Sequence, residues 1–326
     1  MLSVTEMRER LTRLRALQSP CQLCPRRCGA DRRSQAGRCG QPLALQVAAV
    51  CAHGGEEPPI SGQGGAGTVF VAGCTMQCCF CQNHQISQPL DRRPGWAVDP
   101  ATLATRLLEL QRGGCHNVEW VSPTQHLPAL LEALCLAREQ GLALPLVFNC
   151  NGFQRVEVLR LLEGIVDVFL PDAKYSDDGL ARALSATDDY VEINRRALRE
   201  MQRQVGPLEL DPVSGLARRG LLVRHLVLPG AIENTRGVLR WLAEALGAET
   251  WVSLMAQYYP AHRATERAPL HRRLSPREYR RAVTALDASG LVNGWVQERA
   301  TGTVYRPDFL RARPFEGAPL PAARHR

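Results

Sequence analysis

From residue 68 onward, short apolar segments alternate with amphipathic helical patterns, and this alternation constrains the fold more than any other feature of the chain. Strands buried on both faces read as continuous apolar runs, and parallel neighbours need helical crossovers. The segments expected to form strands are 68–73, 118–123, 146–152, 166–173, 221–229 and 250–257, and helical patterns lie near 100–112, 126–140, 154–163, 188–204, 234–247 and 275–289. Six such units predict an α/β fold with a parallel sheet, as an open sheet or a partial barrel, whose functional groups follow the carboxyl ends of the strands.

The length of 326 residues allows one large α/β domain with a small appendage, or two domains. Residues 1–18 have the pattern of an amphipathic helix, with Ser3 and Glu6 as a capping box. Glycine and proline are too dense in residues 47–67 for a helix. We therefore expect an N-terminal helix and cysteine-rich extension over 1–60, a barrel over 61–300 and a C-terminal tail over 301–326.

Composition argues against nucleic acid and membrane as partners. The net charge is +8, but the arginines fall mainly on helical patterns and in the tail, and no basic run is interleaved with aromatic residues. No apolar run approaches the length of a membrane span, and nothing resembles a signal peptide. Twelve cysteines in such a chain indicate metal or redox chemistry rather than structural disulfides, and we expect a cytoplasmic protein.

Three cysteines stand directly after the first expected strand, in the pattern C-x3-C-x2-C formed by Cys74, Cys78 and Cys81. Three thiolates on one short loop can hold three corners of a metal cluster, whereas a closed zinc site would need a fourth ligand that this loop does not obviously supply. Cys79 adjoins Cys78, and because adjacent side chains diverge we interpret it as a buried core residue. We interpret Cys115, Cys135 and Cys150 in the same way.

This motif, with Phe80 just before its last cysteine, resembles the signature of the radical S-adenosylmethionine (SAM) superfamily. The segments "SGQGGAGTVFVAGC", "CFCQNHQIS", "FLPDAKYSD" and "RGLLVRHLVLPG" together resemble its pyruvate formate-lyase activating enzyme-like branch, over most of residues 15–300. The resemblance implies that Cys74, Cys78 and Cys81 hold a [4Fe-4S] cluster whose fourth iron is chelated by SAM. One electron then breaks a C–S bond of SAM, and the resulting 5′-deoxyadenosyl radical takes a hydrogen atom from substrate. The expected fold is a partial (β/α)6 barrel of TIM type with an N-terminal cysteine-rich extension.

The ends of the second and third strands carry the first group of expected SAM contacts. Relatives have a "GGE"-like motif after the second strand, but this chain reads "SPTQH", so Ser122, Thr124 and His126 are polar substitutes there. A simple turn with a helix N-cap at Thr124 is the alternative. Asn149 and Asn151 resemble the polar residues that precede a glycine of the family, although Asn-Gly is also ordinary turn chemistry.

The later strands supply the charged contacts. Asp172 and Lys174 match the Asp-x-Lys of the activating enzymes, and alternation places both on one face, where they can hold SAM. The alternative is a surface ion pair. Arg224 interrupts an apolar strand and needs an anionic partner, for which the SAM carboxylate fits. His225 points to the other face and is interpreted as structural, while His262 in "QYYPAH" resembles a histidine close to the cofactor in the family.

A second group of cysteines comes before the barrel. Cys21, Cys24, Cys28 and Cys39 lie in a loop rich in glycine and arginine, and they could bind zinc or an auxiliary iron–sulfur cluster. Cys51 could replace one of them. The surrounding arginines would offset the thiolates and favour an acidic partner or an electron donor; they are Arg26, Arg27, Arg32, Arg33 and Arg38.

Three functions remain open from the sequence. The first is a radical enzyme that activates or modifies a protein or peptide, the second is a radical enzyme that acts on a small molecule, and the third is an iron–sulfur electron carrier without catalysis. Asp172, Lys174 and Arg224 disfavour the carrier, because a carrier needs no cofactor pocket. Either enzyme would need a one-electron donor of the flavodoxin or ferredoxin type.

Overall fold

The computed structural model describes residues 2–88, 96–298, 307–311, 314–315 and the backbone of 323–325. Most of the expected tail 301–326 therefore lies outside the described residues. The strands are β1 (Val47–His53), β2 (Ala66–Val71), β3 (Val118–Val121), β4 (Leu146–Cys150), β5 (Val168–Pro171), β6 (Glu209–Leu210), β7 (Ala217–Leu226), β8 (Trp251–Met255), β9 (Asn293–Gln297) and β10 (Ala323–His325).

The helices fill most connections between these strands. They are α1 (Val4–Ala16), α2 (Pro58–Ser61), α3 (His84–Ser87), α4 (Pro100–Arg112), α5 (Leu127–Glu139), α6 (Val156–Arg160), α7 (Asp178–Ser185), α8 (Tyr190–Val205), α9 (Ile232–Leu246) and α10 (Pro276–Ser289). The expected helices near 100–112, 126–140, 154–163, 188–204, 234–247 and 275–289 are confirmed as α4, α5, α6, α8, α9 and α10. Helix α1 has the expected capping box. The Ser3 hydroxyl accepts from the backbone N–H of Glu6, and the Glu6 carboxylate accepts from the backbone N–H of Ser3.

One twisted sheet organises the molecule, in the order β1-β2-β3-β4-β5-β7-β8-β9-β10, with β6 paired to β7. Neighbours from β2 to β9 along this path are parallel, whereas β1 and β10 are antiparallel to β2 and β9 at the two edges. Within the described residues the sheet does not close. The expected α/β fold with a parallel sheet that forms a partial barrel is confirmed, and the six expected strands are β2, β3, β4, β5, β7 and β8.

The expected number of six parallel strands was too small, because β9 adds a seventh parallel strand beside β8. Its sequence, "NGWVQ", is short and polar at both ends, which hides it from a search for apolar runs. Strand β1 was also missed. It occupies residues 47–53 of the glycine- and proline-rich stretch and pairs with β2, so the range 1–60 contributes an edge strand to the main sheet.

Apolar packing places the longer helices on one face of the sheet and a smaller cluster, which includes α2, on the other. Met7, Leu11 and Leu14 of α1 are buried in the main core, which also includes the apolar face of α5. Ile60 of α2 lies in a separate cluster with side chains of β4, β5 and β7. Burying each such side chain contributes about 1.5–3 kcal/mol. The short helix α2 thereby fixes the loop before it, which carries two glutamates. None of the described helices is both long and apolar enough to cross a membrane.

Candidate active site

A cavity of about 490 Å³ lies where the parallel strands end, and it collects most of the polar residues singled out in the sequence. The expected site residues that line it are Cys74, Cys78, Phe80, Cys81, Ser122, Asn149, Asn151, Asp172, Lys174 and Arg224. They come from the loop after β2 and from the ends of β3, β4, β5 and β7. The arrangement follows from parallel topology, because it brings the carboxyl ends of neighbouring strands to one edge.

The three cysteines of the motif face this cavity, and each sulfur has a polar neighbour. Asn151 Nδ2 lies 3.4 Å from Cys74 Sγ, and Ser185 Oγ donates to Cys78 Sγ at 3.0 Å. Cys81 Sγ is 3.1 Å from Ser87 Oγ. Burial raises the pKa of Cys78 and raises that of Cys81 to about 12, so the free thiols hold their protons at neutral pH.

The donor set fits an iron–sulfur cluster. Cysteine thiolates are the usual ligands of such clusters, and hydrogen bonds to the sulfurs tune them. Metal binding would displace the protons that burial otherwise retains. In the described part of the chain no three His, Cys, Asp or Glu side chains are grouped so as to hold a metal ion. The assignment of Cys74, Cys78 and Cys81 to a cluster thus stays a prediction.

Cys79, unlike the three cysteines of the motif, does not border the cavity. Its side chain is 2% exposed and packs in an apolar cluster with Phe80 and Tyr258. Its backbone N–H donates to the Leu184 carbonyl at 2.8 Å. The position agrees with the interpretation of Cys79 as a core residue. Cys150, by contrast, is buried and yet borders the cavity, where burial raises the pKa of its thiol to about 12.

Of the polar substitutes after β3, Ser122 alone borders the cavity. The chain turns there with Ser122 at a φ of 50°, and a 3-10 turn over Pro123–His126 follows. This turn buries Thr124, whose Oγ1 donates to Gln154 Oε1 at 2.8 Å, and it also buries His126. The structure therefore does not bring Thr124 to the cavity.

The two asparagines after β4 link the walls of the cavity. Asn149 Nδ2 donates to Glu119 Oε1 at 2.6 Å, and Asn149 Oδ1 accepts from Arg224. Asn151 Nδ2 donates to Thr75 Oγ1 at 3.0 Å, next to Cys74. Both side chains thus position neighbouring groups in addition to facing the cavity.

Asp172, Lys174 and Arg224 form a half-buried charge network. Lys174 Nζ is 2.5 Å from Asp172 Oδ2, Arg224 Nε is 3.3 Å from Asp172 Oδ1, and Arg224 Nη1 is 2.9 Å from Glu56 Oε2. Burial alone would raise the pKa of Asp172, but the charges of Lys174 and Arg224 outweigh it and lower the pKa. The anionic partners that Arg224 requires are thus supplied within the protein by Asp172 and Glu56.

Three glutamates in or beside the cavity were missed in the sequence. Glu56 and Glu57 lie in the loop between β1 and α2 and border the cavity. Glu119, inside β3, is fully buried and accepts from Thr68 Oγ1 at 2.9 Å. Burial raises the pKa of Glu119 to about 8. A signal existed for Glu119, because a carboxylate within an apolar strand needs partners as much as Arg224 does.

His262 is not part of the cavity lining. It lies in a 3-10 turn over His262–Glu266, at a φ of 50°, and its ring stacks on that of His84 with centroids 5.2 Å apart. Burial lowers its pKa. The turn directs the ring toward α3 and away from the strand ends, so the structure separates His262 from the other expected contacts.

Three thiols of the N-terminal loop, those of Cys21, Cys28 and Cys39, lie near one another, although no three described side chains there are grouped so as to hold a metal ion. Cys28 Sγ and Cys39 Sγ flank Gly37, at 3.6 Å and 3.4 Å from where a Cβ would stand, and Cys21 hydrogen-bonds Cys28. A metal at the quartet of Cys21, Cys24, Cys28 and Cys39 stays a prediction.

Five arginines were expected to surround this quartet with positive charge. Two of them, Arg32 and Arg33, are instead bonded to groups within the protein. Arg32 is buried and donates to the backbone carbonyls of Gln41, Pro42 and Gln125. Arg33 pairs with Asp31 at 2.9 Å. Backbone carbonyls and a neighbouring carboxylate thus satisfy two guanidinium groups that the sequence alone left available to an external partner.

Comparison with known proteins gives a family match in the part of the chain that carries the motif. Residues 68–206 match the model of the radical SAM superfamily. An uncharacterized protein of Methanocaldococcus jannaschii is 28% identical over 270 residues, which cover 81% of this chain and 73% of that protein.

Two solved structures are similar to this chain at low sequence identity and with TM-scores below 0.5. Methylornithine synthase (PylB) has a TM-score of 0.48 and 16% identity, over 77% of this chain and 71% of that chain. The protein anSMEcpe with bound AdoMet has a TM-score of 0.46 and 12% identity, over 67% of this chain. The chain spans 57% of the length of anSMEcpe.

Proposed function

We propose that this chain is a radical SAM enzyme that reductively cleaves SAM at a [4Fe-4S] cluster held by Cys74, Cys78 and Cys81. One observation carries the proposal: the three cysteines face a single cavity together with charged residues from several strand ends, within and beside the range of the family match. When bound, the cluster and SAM supply one-electron chemistry that abstracts a hydrogen atom from substrate.

The protein's own part is to hold and orient these groups. Ser185, Ser87 and Asn151 lie within hydrogen-bonding distance of the three sulfurs and would fix the thiolates. The network of Asp172, Lys174 and Arg224 would receive the amino and carboxylate groups of SAM. An ammonium group has three donors, and the bond of Lys174 to Asp172 uses one. The remaining donors can meet a carboxylate.

The proposal also covers the substrate, the electron donor and membership of the pyruvate formate-lyase activating enzyme-like branch. By resemblance to the activating enzymes, the substrate is a protein or peptide and the donor a flavodoxin or ferredoxin. None of the twelve cysteines forms a disulfide, which supports a reducing compartment such as the cytoplasm. A small-molecule substrate is the second candidate, because a cavity of about 490 Å³ lies in the range that encloses small ligands.

The test is turnover without oxygen. The protein is reconstituted with iron and sulfide, reduced with dithionite and supplied with SAM, and 5′-deoxyadenosine and methionine are quantified. We expect both products in equal amounts. A reconstituted, reduced protein that leaves SAM intact would indicate the electron carrier instead. Adding candidate peptides or small molecules that carry deuterium would then show which of them transfers its label to 5′-deoxyadenosine.

A further inference from the structure

The loop over residues 54–57 brings two carboxylates into the cavity from the side opposite the cysteines. His53 at the end of β1 pairs with Ala66, the first residue of β2, so this loop starts where the parallel strands begin. Cys74 lies three residues beyond Val71, the last residue of β2, at the other end of that strand. Glu56 and Glu57 therefore reach the cavity from a different end than the thiols, and α2 holds them there through Ile60.

Carboxylates outnumber cationic side chains among the described residues that line the cavity. Among the described residues that line it, the cationic side chains are Lys174 and Arg224, and both bond Asp172. Arg224 also pairs with Glu56. Burial lowers the pKa of His53 to about 4, which leaves that ring neutral. The carboxylate of Glu57 is left without a direct ion pair to either cation.

Glu57 is 8% exposed, and its Oε2 atom has no hydrogen-bond partner in the described structure. Ser253 hydrogen-bonds the same carboxyl group. A buried carboxylate oxygen without a donor is costly, because desolvation is not compensated. Burial accordingly raises the pKa of Glu57. A ligand that brings donors and positive charge into the cavity would remove this cost.

We propose that Glu57 binds a cationic group of the substrate, a primary ammonium or a guanidinium. The inference names the substrate class of the site and rests on the proposed function for the chemistry performed there. Phe70 and Trp295 border the same cavity and would pack against the apolar stem that carries the cation. A lysine- or arginine-like side chain has this combination of stem and charge, whether it belongs to a peptide or to a small amine.

The experiment measures binding and needs no turnover. Reconstituted protein with saturating SAM is titrated calorimetrically with n-butylammonium and n-butylguanidinium, and with 1-butanol and butyrate as neutral and anionic matches. We expect the two cations to bind and the two controls not to. Glu57→Gln keeps the shape of the side chain and removes its charge, so it should weaken cation binding at least tenfold. Glu209→Gln, an equal charge change at an exposed position, should bind like the wild type.

Three results would overturn the inference. The first is that neither cation binds the wild type, and the second is that both bind Glu57→Gln as tightly as the wild type. The third is that Glu57→Gln loses affinity for SAM itself. The last result would assign Glu57 to the ammonium group of the cofactor. Thermal unfolding checks that Glu57→Gln is folded, which we expect because the change removes an uncompensated charge. Formation of 5′-deoxyadenosine by the same preparation tests the proposed function separately, since cation binding does not depend on it.

Discussion

At the scale of single residues, Arg224 connects three walls of the cavity. Its guanidinium bonds Glu56 from the loop after β1, Asn149 at the end of β4 and Asp172 after β5. A guanidinium group is planar and has five N–H donors, so it can hydrogen-bond several acceptors at once. Lys174 has a narrower role, since its ammonium bonds Asp172 and has donors left for a ligand.

This difference predicts distinct effects of removing each cation. Lys174→Ala leaves Asp172 paired with Arg224, so it should fold and keep its iron, while its affinity for SAM falls roughly tenfold to a hundredfold, the loss of one charge-assisted hydrogen bond. Arg224→Ala should weaken SAM binding similarly and also lower the free energy of unfolding by about 3–5 kcal/mol, because the partly buried carboxylate of Glu56 loses its cation while Asp172 keeps only Lys174. Calorimetric titration with SAM and chemical denaturation measure the two effects. Unchanged SAM affinity in both variants would place the cofactor elsewhere.

Glu119 predicts a pH dependence of stability. Burial raises its pKa from 4.5 to about 8, so between these pH values the folded protein binds more protons at this site than the unfolded chain. The stability contributed by Glu119 is fully present below pH 4.5 and is lost as pH rises toward 8. In Glu119→Gln this loss should vanish, so the variant should gain stability relative to wild type as pH increases. A difference in the free energy of unfolding that stays constant from pH 5 to 8 would contradict the assignment.

The sequence located the polar residues at strand ends but not the pairing between them. Arg224 was recognised because a charge inside an apolar strand must find a partner. That partner, Glu56, is 168 residues away along the chain, in a loop whose path depends on the pairing of β1 with β2. Thr124 was expected in the cavity because it is polar and follows β3, but the turn after Ser122 reverses its direction. Local patterns do not contain such information.

At the scale of elements, periodicity was sufficient for long helices and apolar strands. It failed where an element is short or lacks apolar residues. Strand β9 contains Gly294 at a φ of 140°, where a Cβ would stand 1.9 Å from the Val252 carbonyl oxygen. Helix α7 was missed as well, because it has eight residues and only two of them, Ala181 and Ser185, are buried. Tertiary contact, more than local preference, determines both elements.

The turn between β2 and the cysteine loop depends on a glycine. Gly73 has a φ of 77°, and a Cβ there would lie 2.3 Å from Gln41 Cγ and 2.7 Å from the Cys39 carbonyl oxygen. Gly73→Ala should therefore displace the cysteine loop, lower the free energy of unfolding by about 1–3 kcal/mol and reduce bound iron. Gly141→Ala is the matched control, because Gly141 has a φ of 94° but open space around it. Equal iron contents in the two variants would show that the tight contact is unimportant.

At the scale of the whole molecule, the N-terminal loop packs directly against the cysteine loop. Arg26 Nε donates to the Thr75 carbonyl at 2.7 Å, and Arg26 Nη2 donates to the Ala186 carbonyl at 2.7 Å. Gln125 accepts from Arg32 through its backbone and donates to the carbonyls of Ala72 and Gly73. The loop with the cysteine quartet is thus attached to the proposed cluster loop, and a metal there would lie beside the active site.

Replacing Cys21, Cys24, Cys28 and Cys39 together by Ser tests this second centre. One cluster cannot use all seven thiolates, so the variant should retain the iron bound by Cys74, Cys78 and Cys81 and lose only the additional metal. Elemental analysis of iron and zinc in both proteins identifies that metal, which we expect to be iron. Equal metal contents in wild type and variant would show that the quartet is an ordinary loop rich in thiols.

The central claim is that Cys74, Cys78 and Cys81 hold the cluster that cleaves SAM, and the adjacent pair Cys78 and Cys79 tests it most directly. Cys78 borders the cavity, whereas Cys79 does not and is only 2% exposed. The measurement is 5′-deoxyadenosine formed from SAM by equal amounts of reconstituted, reduced Cys78→Ala and Cys79→Ala. The assignment predicts none from Cys78→Ala and wild-type amounts from Cys79→Ala. Product from Cys78→Ala, or none from a folded Cys79→Ala, would contradict it.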